Sequence, residues 1–462
     1  MIESLFIENF KSIVRSEEIE IAPITLITGP NSSGKSSILK PLLLMKQTAD
    51  SRDIQRSIQV DGSYVVLGPF RNFVFNNDDR KEVKFAISFS PDRYMPWRTL
   101  RKEPSQKQKI GMRHELMEIS PDTIKLEVTL SVGAYDQTIT KEAKYTFFDR
   151  QIGTVTVAKI RGLKGSYSGY FSLNSESIRF TPQRKSKFYD MIQSPRVSEY
   201  IPLSRSELGY NRTRLLSYLT RTFEVAISNM FYLGPLRDEP APLYGASSER
   251  PQDVGKSGAD APSVLWVGRG ERKQIELRKK VEKWMSRFEI SKNIRLHKLG
   301  PFFQILLTDW HSGIRCNLTD VGFGASQLLP VIVAGYYAPE SSLLILEQPE
   351  IHLHPRAQGH LGDLLIDISN EKRKLLVETH SEHLLTRIQR RIAEGKIDTG
   401  NVALYYCEPS RKGTMIKRIN IDQYGQFEPE LPSSFFDESY TESRALLEAV
   451  VKKKYGKKTR RK

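Results

Sequence analysis

The sequence predicts an α/β fold with a mixed sheet, an antiparallel β subdomain and an inserted basic domain. Three observations support this prediction. Near the amino terminus, a strand leads through a glycine-rich loop into a helix. Two later segments, 341–350 and 375–385, begin as apolar strands and end in polar residues. Elsewhere, short stretches alternate apolar and polar residues, which is typical of antiparallel strands.

The amino-terminal region contains the first predicted elements. Residues 2–10 and 19–28 are rich in Ile, Leu, Phe and Thr, which favours strands. A helix is predicted to follow Gly34, with Pro41 either kinking it or starting a new turn. Residues 62–90 alternate apolar and polar side chains and therefore predict an antiparallel strand pair.

The loop between the second strand and the helix carries the most specific motif. Its sequence GPNSSGKS, Gly29 to Ser36, matches the phosphate-binding pattern G-x-x-x-x-G-K-S. Backbone N–H groups can wrap a phosphate here, and the helix N-terminus adds positive potential. Lys35 is expected to neutralise the β- and γ-phosphates, and Ser36 to ligate Mg²⁺. The predicted contacts are Asn31, Ser32, Ser33, Gly34, Lys35, Ser36 and Ser37.

The two apolar strands further along the chain add polar groups to the same predicted site. P-loop folds hold their metal with a carboxylate at the carboxyl end of a buried strand. Glu347 ends the first of these strands and is the predicted outer contact to Mg²⁺. His380 follows the second strand, where it can reach a γ-phosphate or an attacking water.

The middle of the chain is less regular. Residues 91–230 contain proline-punctuated basic stretches, short alternating strands and a helical piece near 206–230, which indicates an insertion within one domain. Residues 231–236 predict a buried strand and a turn. The following Arg237 is either a surface residue or a contact to a phosphate or to the insertion. Residues 239–270 are rich in Pro, Gly and Ser and predict a long functional loop.

The carboxyl-terminal half returns to regular elements. Residues 271–289 predict an amphipathic helix whose buried face includes Ile275, Val281, Trp284 and Phe288. Strands are predicted at 302–318, 401–408 and 415–422. The resulting units are 1–90 (P-loop half), 91–230 (basic insertion), 231–300 (loop and helix), 301–430 (second half) and 431–462 (helix and basic tail).

Charge and cysteine content narrow the class of protein. The net charge is +16, of which residues 91–230 contribute +9 (23 Lys/Arg against 14 Asp/Glu) and residues 452–462 contribute +8. Basic clusters favour a polyanionic partner, either nucleic acid or an acidic protein. Two cysteines form neither a disulfide framework nor a four-ligand zinc site. The low cysteine content favours a cytoplasmic protein. No apolar run is long enough for a membrane span, so no membrane contact is expected.

Taken in order, the motifs resemble those of ABC-type ATPases. The opening IESLFIENFKSI with GPNSSGKSS is typical of the branch that includes RecF, SMC and OLD proteins. The segments VGFGASQLLP, EQPEIHLHPRAQ and VETHSEHLL resemble ATPases of bacterial anti-phage systems, such as the Septu and retron-associated ATPases. The resemblance covers about residues 1–90 and 300–430. OLD proteins also carry a TOPRIM nuclease domain, and no such acidic set follows His380.

The resemblance implies an ATP site shared between subunits of a homo-oligomer, a dimer or higher. ATP on the P-loop of one subunit is covered by a signature segment of another, which corresponds to Val321–Gln327. Here Gly322 occupies the usual serine position, so contact to the γ-phosphate passes to backbone amides or to Ser326. The implied contacts are Gly322, Gly324 and Ser326.

The acidic strand also departs from the family pattern. The family has Asp-Glu, a metal ligand followed by the general base, whereas this chain has Glu347-Gln348. Glutamine cannot accept a proton as a base. Either Glu350 supplies the base, or hydrolysis is slow and ATP acts mainly as a clamp. By the same resemblance His380 is the switch histidine, and His354 lies in the inter-subunit loop.

The expected function is that of an ATP-binding and ATP-hydrolysing subunit of a prokaryotic anti-phage complex. Such a subunit assembles or switches a separate effector, for example a nuclease. Two alternatives stay open. One is a DNA repair or maintenance ATPase of the RecF or SMC type, with nucleic acid as its partner. The other is an ATP-gated scaffold with little turnover.

Overall fold

The computed structural model describes residues 1–51, 58–91, 97–98, 118–119, 122–149, 153–161, 167–173, 176–180, 219 and 221–428. Three predictions fall outside these residues. They concern the basic stretches near 99–117, the first part of the helical piece near 206–230, and the carboxyl-terminal helix and tail at 431–462.

The first half of the described chain is mostly β-structure. One helix, α1, spans Lys35–Asp50, and residues 221–228 are also helical. The strands are β1 (Ile2–Phe10), β2 (Ile13–Arg15), β3 (Ile19–Glu20), β4 (Ile24–Thr28), β5 (Val83–Phe89), β6 (Trp97–Arg98), β7 (Glu118–Ile119), β8 (Ile124–Val132), β9 (Thr138–Asp149), β10 (Gly153–Arg161), β11 (Tyr167–Leu173) and β12 (Glu176–Phe180).

Helices and strands alternate in the second half. The strands are β13 (Met230–Leu233), β14 (Tyr244–Gly245), β15 (Ser291–Leu299), β16 (Phe302–Asp309), β17 (Arg315–Asn317), β18 (Leu343–Glu347), β19 (Lys374–Glu378), β20 (Val402–Ser410), β21 (Gly413–Ile421) and β22 (Phe427–Glu428). The helices are α2 (Ala261–Trp266), α3 (Arg272–Arg287), α4 (Phe323–Tyr337), α5 (Pro355–Asn370) and α6 (Glu382–Ala393).

A large mixed sheet organises the molecule, as the sequence predicts. Its strand order is β12-β11-β10-β9-β8-β5-β1-β2-β21-β20-β4-β19-β18-β13. The neighbours β20, β4, β19, β18 and β13 run parallel to one another. From β1 through β5 to β12 the pairing is antiparallel. The described strands of the 91–230 insertion therefore extend the antiparallel side of this sheet.

Both faces of the parallel region are covered, which explains why its strands read as continuous apolar runs. Alternate residues of β18 point to opposite faces: Leu343 and Ile345 pack in the core beside α1, while Leu344 and Leu346 pack beside α4, α5 and α6. A smaller antiparallel sheet, β14-β16-β15 with β17 on β16, joins this second core through Phe303, which is fully buried. Among the described residues, no helix combines the length and the hydropathy needed to cross a membrane.

Several local predictions are wrong. Residues 62–90 contain one strand, β5, whose partners are β1 and β8, and they also contain short 3₁₀ turns. Alternation predicts a strand but not which distant strand pairs with it. The loop predicted at 239–270 includes α2 and β14. Ile275 on α3 is exposed, while Val281, Trp284 and Phe288 are buried as predicted.

The boundary predicted at residue 300 falls within a β-hairpin. Strand β15 begins at Ser291 and pairs antiparallel with β16, so the second sheet starts before the boundary. The sequence of β15, SKNIRLHKL, is too polar to indicate a strand by itself. Its place in the sheet is determined by pairing with the apolar β16.

Candidate nucleotide site

The candidate site lies at one edge of the large sheet, where four parallel strands end. Strand β4 leads into the phosphate-binding loop, and β19, β18 and β13 lie beside it in that order. Glu378 and Glu347 are register partners at the ends of β19 and β18. Carboxyl ends of parallel strands meet at one edge of the sheet, where ligands commonly bind. Segments far apart in sequence thus contribute to one site.

Two glycines allow the phosphate-binding loop to pack tightly. Gly29 has a φ of 145°, and a Cβ atom there would lie 2.4 Å from the carbonyl oxygen of Cys407. Gly34 has a φ of 90° and precedes the first residue of α1. Its Cβ atom would lie 2.5 Å from Oγ of Ser12. Side chains at either position would displace neighbouring atoms, so the loop requires glycine there.

Lys35 and Ser36 make the specific contacts of this loop. The buried ammonium of Lys35 donates to the carbonyl oxygens of Gly29 and Pro30, at 3.0 and 2.7 Å. Burial lowers the pKa of Lys35, and the negative charge of Glu378 partly offsets this. Ser36 Oγ donates to Oε1 of Glu378 at 3.0 Å. The lysine charge is therefore held within the loop, and the serine is linked to an acid from β19.

The other predicted loop residues differ in exposure. Asn31 and Ser32 are exposed at the tip, whereas Ser33 and Ser37 are buried. The hydroxyl of Ser33 makes no hydrogen bond within the described part of the chain. The backbone carbonyl of Ser33 accepts from Thr414 Oγ1 at 2.9 Å. The loop is thus fixed from beneath and open at its tip.

Two carboxylates face this edge from neighbouring strands. Glu347, the predicted metal contact, accepts a hydrogen bond from the Tyr232 hydroxyl at 2.9 Å. Burial raises the pKa of Glu347, and that hydrogen bond opposes the rise. Burial, followed by the Glu347 charge, raises the pKa of Glu378 to about 7. The raised pKa of both acids means that their charged forms are poorly stabilised at this edge by the groups around them.

Glu350 connects the two acidic strands. Its Oε1 accepts from Thr379 Oγ1 at 2.8 Å and from the backbone N–H of His380 at 2.7 Å. Burial raises its pKa. Arg237 is 7% exposed, which rules out a surface arginine, and its Nη2 donates to the carbonyl oxygens of Glu347 and Gln348 at 3.3 and 3.5 Å. Burial lowers the pKa of Arg237 to about 10 and the charge of Glu350 opposes this.

Gln348 and His380 complete the group that the structure brings together. Gln348 has a φ of 44°, and its backbone N–H donates to the carbonyl oxygen of Glu378 at 2.8 Å. His380 is half-buried, and burial together with the nearby Lys35 charge lowers its pKa. A neutral imidazole is therefore favoured at this position. His354 lies apart on an exposed turn, where it caps α5 by accepting from the Arg356 N–H.

The predicted signature segment starts helix α4. Gly322 is the exposed N-cap residue, and open space surrounds the position of its missing Cβ. Gly324 packs closely, since a Cβ there would lie 3.3 Å from the carbonyl oxygen of His352. Ser326 is 5% exposed, so its hydroxyl is turned into the protein. Of the three predicted contacts, Gly322 is the one presented at the surface.

Sequence reasoning misses two polar residues of this site. Glu378 ends β19 and Tyr232 lies on β13. A signal for Glu378 is present, because the two apolar strands LLILE and LLVE both end in glutamate. Tyr232 has no such signal. It reaches the site only because β13 pairs with β18.

Several solved structures are similar to this chain. The SMC head domain from Thermotoga maritima is 11% identical with a TM-score of 0.38, and the match covers 91% of this chain and 99% of that chain. An SmcHead bound to the C-winged helix domain of ScpA is 11% identical with a TM-score of 0.43, covering 91% and 98%. An Smc head domain bound to the C-terminal domain of ScpA derived from Pyrococcus furiosus is 11% identical with a TM-score of 0.39, covering 91% and 96%.

No curated protein matches the chain. A family model does match, over residues 24–386, a span that begins at β4 and ends within α6. It includes the phosphate-binding loop and both acidic strands. The chain therefore belongs to the family described as "AAA domain, putative AbiEii toxin, Type IV TA system", and its large mixed sheet with a P-loop is the α/β fold of a P-loop ATPase.

Proposed function

We propose that this protein binds and hydrolyses ATP with Mg²⁺ and that the nucleotide switches a cytoplasmic complex. One observation carries the proposal: the phosphate-binding loop and two strand-end carboxylates meet at the same sheet edge. Lys35 is the cation for the β- and γ-phosphates, and the backbone of residues 31–37 wraps them. Ser36 and Glu347 are the proposed contacts to Mg²⁺.

The groups present fit a Mg²⁺–phosphate ligand. Buried polar atoms that make no hydrogen bond within the described residues include Oε2 of Glu350, Oε2 of Glu378, and Nε and Nη1 of Arg237. Buried groups of this kind are costly unless a ligand satisfies them. Bound Mg²⁺ would supply charge neutralisation for the transferred phosphoryl group.

Glu350 is the proposed general base. Its Oε1 is occupied by Thr379 and His380, which leaves Oε2 to accept a proton from water. Gln348 lacks this capacity and is proposed to orient the water by hydrogen bonding. His380, neutral at physiological pH, is proposed to contact the γ-phosphate.

The first experiment measures ATP binding by calorimetry and ATP turnover by phosphate release. Lys35→Ala removes charge-assisted hydrogen bonds of about 3 kcal/mol, so we expect ATP binding at least about 100-fold weaker. Lys141→Ala is the control, because this lysine pairs with Glu82 on the antiparallel region. Equal ATP affinity in wild type and Lys35→Ala would overturn the site assignment.

The second experiment tests the base. We expect Glu350→Gln to stop turnover while ATP still binds, and Gln348→Ala to have a milder effect. Turnover that survives Glu350→Gln would exclude Glu350 as the base. A wild-type rate equal to that of buffer would favour the clamp interpretation.

We also propose that ATP joins two copies of the chain. The exposed Gly322, with open space around it, supports a surface that closes over the nucleotide of a partner. Gly322→Arg should prevent ATP-dependent dimerisation, as measured by light scattering, without altering the fold. Gly400→Arg is the matched control, since open space also surrounds that glycine. Equal dimerisation of both variants would contradict this surface.

The biological role is proposed to be the control of a separate effector, such as a nuclease, in an anti-phage system. The family description, which names a putative toxin of a Type IV TA system, supports a role in defence-type modules. Purification of the native complex tests the role. A co-purified nuclease supports it, and co-purified replication or repair proteins support the DNA-maintenance alternative.

The nucleic-acid alternative is favoured by a specific surface, the outward face of α3 with strand β15. Residues 269–298 contain eleven Lys/Arg and four Glu, a net charge of +7. Three of the glutamates form ion pairs with arginines, and Glu282 accepts the Ile294 N–H. The exposed cations include Lys273, Lys279, Lys283, Arg287, Lys292, Arg295 and Lys298.

Such a stripe suits the phosphates of a duplex, because α3 is about 24 Å long. The test is a duplex-binding titration at several salt concentrations. Lys279→Glu/Lys292→Glu should weaken binding to all sequences and reduce the salt slope by about 0.9 for each phosphate that is no longer neutralised. Lys84→Glu/Lys125→Glu, of equal charge change, is the control. An unchanged slope would exclude this surface.

A further inference from the structure

We propose that Glu378 is a second carboxylate at the metal ion, beside Glu347, and that it positions the ion together with Ser36. The inference rests on the proposed ATPase function and assigns a role to a residue that the family motifs do not mark. Three structural observations carry it: the place of β19 in the sheet, the hydrogen bond from Ser36, and the hydrogen bonds that Glu347 and Glu350 make to other residues.

The sheet order puts Glu378 nearest to the phosphate-binding loop. Strand β19 pairs directly with β4, which leads into the loop, whereas β18 lies on the far side of β19. Neighbouring strands are about 4.8 Å apart, so β18 lies roughly 10 Å from β4. Glu347 must therefore reach across one more strand than Glu378.

The side-chain contacts agree with this order. Glu378 Oε1 accepts the Ser36 hydroxyl at 3.0 Å, so the acid holds the residue expected to ligate Mg²⁺. Oε2 of Glu378 is buried and makes no hydrogen bond within the described residues. A cation beside Ser36 would satisfy this oxygen and reduce the repulsion between Glu378 and Glu347.

The other two acids of the edge have different partners. Glu347 accepts from Tyr232, and Glu350 is held by Thr379 and the His380 backbone. Within the described part of the chain, no group of three or more His, Cys, Asp or Glu residues is arranged to hold a metal. Mg²⁺ often binds through one or two carboxylates plus substrate phosphates. Metal binding at Glu378 should therefore require nucleotide.

The experiment compares ATP affinity with Mg²⁺ and with EDTA, by calorimetry, in the full-length protein. In EDTA, Glu378→Gln should bind ATP at least as tightly as wild type, because the variant lacks a negative charge beside the triphosphate. With Mg²⁺, we expect Glu378→Gln to lose about 10- to 100-fold of the affinity gain. Ser36→Ala should show a similar loss, and the double variant should add little to it. Glu127→Gln, which removes a partly exposed acid of the antiparallel region, is the control.

A second readout follows the metal itself. Mn²⁺ bound with ATP should give a changed electron paramagnetic resonance spectrum in Glu378→Gln, which a purely structural role for Glu378 would not cause. If Glu378→Gln does not fold, Glu378→Asp replaces it, because it keeps the charge but withdraws the carboxylate by one methylene group.

The outcomes separate this inference from the proposed function. Normal ATP binding by wild type, with an unchanged Mg²⁺-dependent gain in Glu378→Gln, overturns the role of Glu378 alone. If wild type binds ATP neither with Mg²⁺ nor in EDTA, the proposed function is overturned and the inference with it. Loss of the Mg²⁺-dependent gain, with binding in EDTA preserved, supports both.

Discussion

The parallel and antiparallel sides of the large sheet differ in whether their charged side chains are buried or open to solvent. At the edge of the parallel side, the acids Glu350 and Glu378 are buried, and each has one oxygen without a hydrogen bond within the described residues. On the antiparallel side, charges form ion pairs that are open to solvent: Glu8 with Arg15 and Glu127 with Lys144 across neighbouring strands, and Glu82, just before β5, with Lys141.

This difference separates functional charge from solvated charge. An exposed pair is well hydrated and contributes little to stability. A buried acid without full pairing costs free energy of folding. Such an acid is found where a ligand interacts with it. The parallel edge is therefore the region whose properties should depend on nucleotide and Mg²⁺, and the antiparallel side should be indifferent to both.

The largest expected effect on stability is at Arg237. Its replacement by alanine removes the hydrogen bonds to the carbonyl oxygens of Glu347 and Gln348 and a cation whose charge acts on Glu350, which should lower the free energy of unfolding by about 3 kcal/mol. Urea denaturation measures this. The double variant Arg237→Met/Glu350→Gln should recover much of the loss, because neither charge is then buried. A loss below about 1 kcal/mol in Arg237→Ala would show that this buried charge contributes no more to stability than an exposed ion pair on the antiparallel side.

A smaller effect is expected at Tyr232. Tyr232→Phe removes the donor to Glu347 and leaves that half-buried acid less satisfied, at a cost of about 1–3 kcal/mol in unfolding free energy. Tyr424→Phe is the control, since Tyr424 is 68% exposed. Equal unfolding curves for the two variants would show that the Tyr232–Glu347 hydrogen bond does not support the edge.

The smallest effect is expected on the antiparallel side. Lys141→Ala removes the surface pair with Glu82 and should change the unfolding free energy by about 1 kcal/mol or less. Mg²⁺–ATP should raise the melting temperature of this variant as much as that of wild type. A melting-temperature gain clearly smaller than that of wild type would mean that the two sides are coupled.

The fold and the core of the site were predictable where the signal is local. The phosphate-binding loop, the start of α1 after Gly34 and the ends of the two apolar strands follow from motifs and apolar runs. The partners of each strand were not predictable from the sequence. Strand β5 (83–89), for example, pairs with β1 and with β8, and alternation within β5 carries no information about either partner. Strand β15 was not predicted for a related reason. Its own residues are polar, and its place in the sheet depends on pairing with the apolar β16.

The sequence by itself determined which residue types are available: a glycine loop with Lys35 and Ser36, an acid at 347, and a glutamine at 348. The periodicity and spacing that indicate these residues extend over only a few positions. They can therefore be recognised without knowing which distant segments lie nearby. Only the tertiary structure decided that β19 lies between β4 and β18. That order brings Glu378 to Ser36, and the pairing of β13 with β18 brings Tyr232 and Arg237 to the end of β18. Parallel strands align their carboxyl ends regardless of separation along the chain.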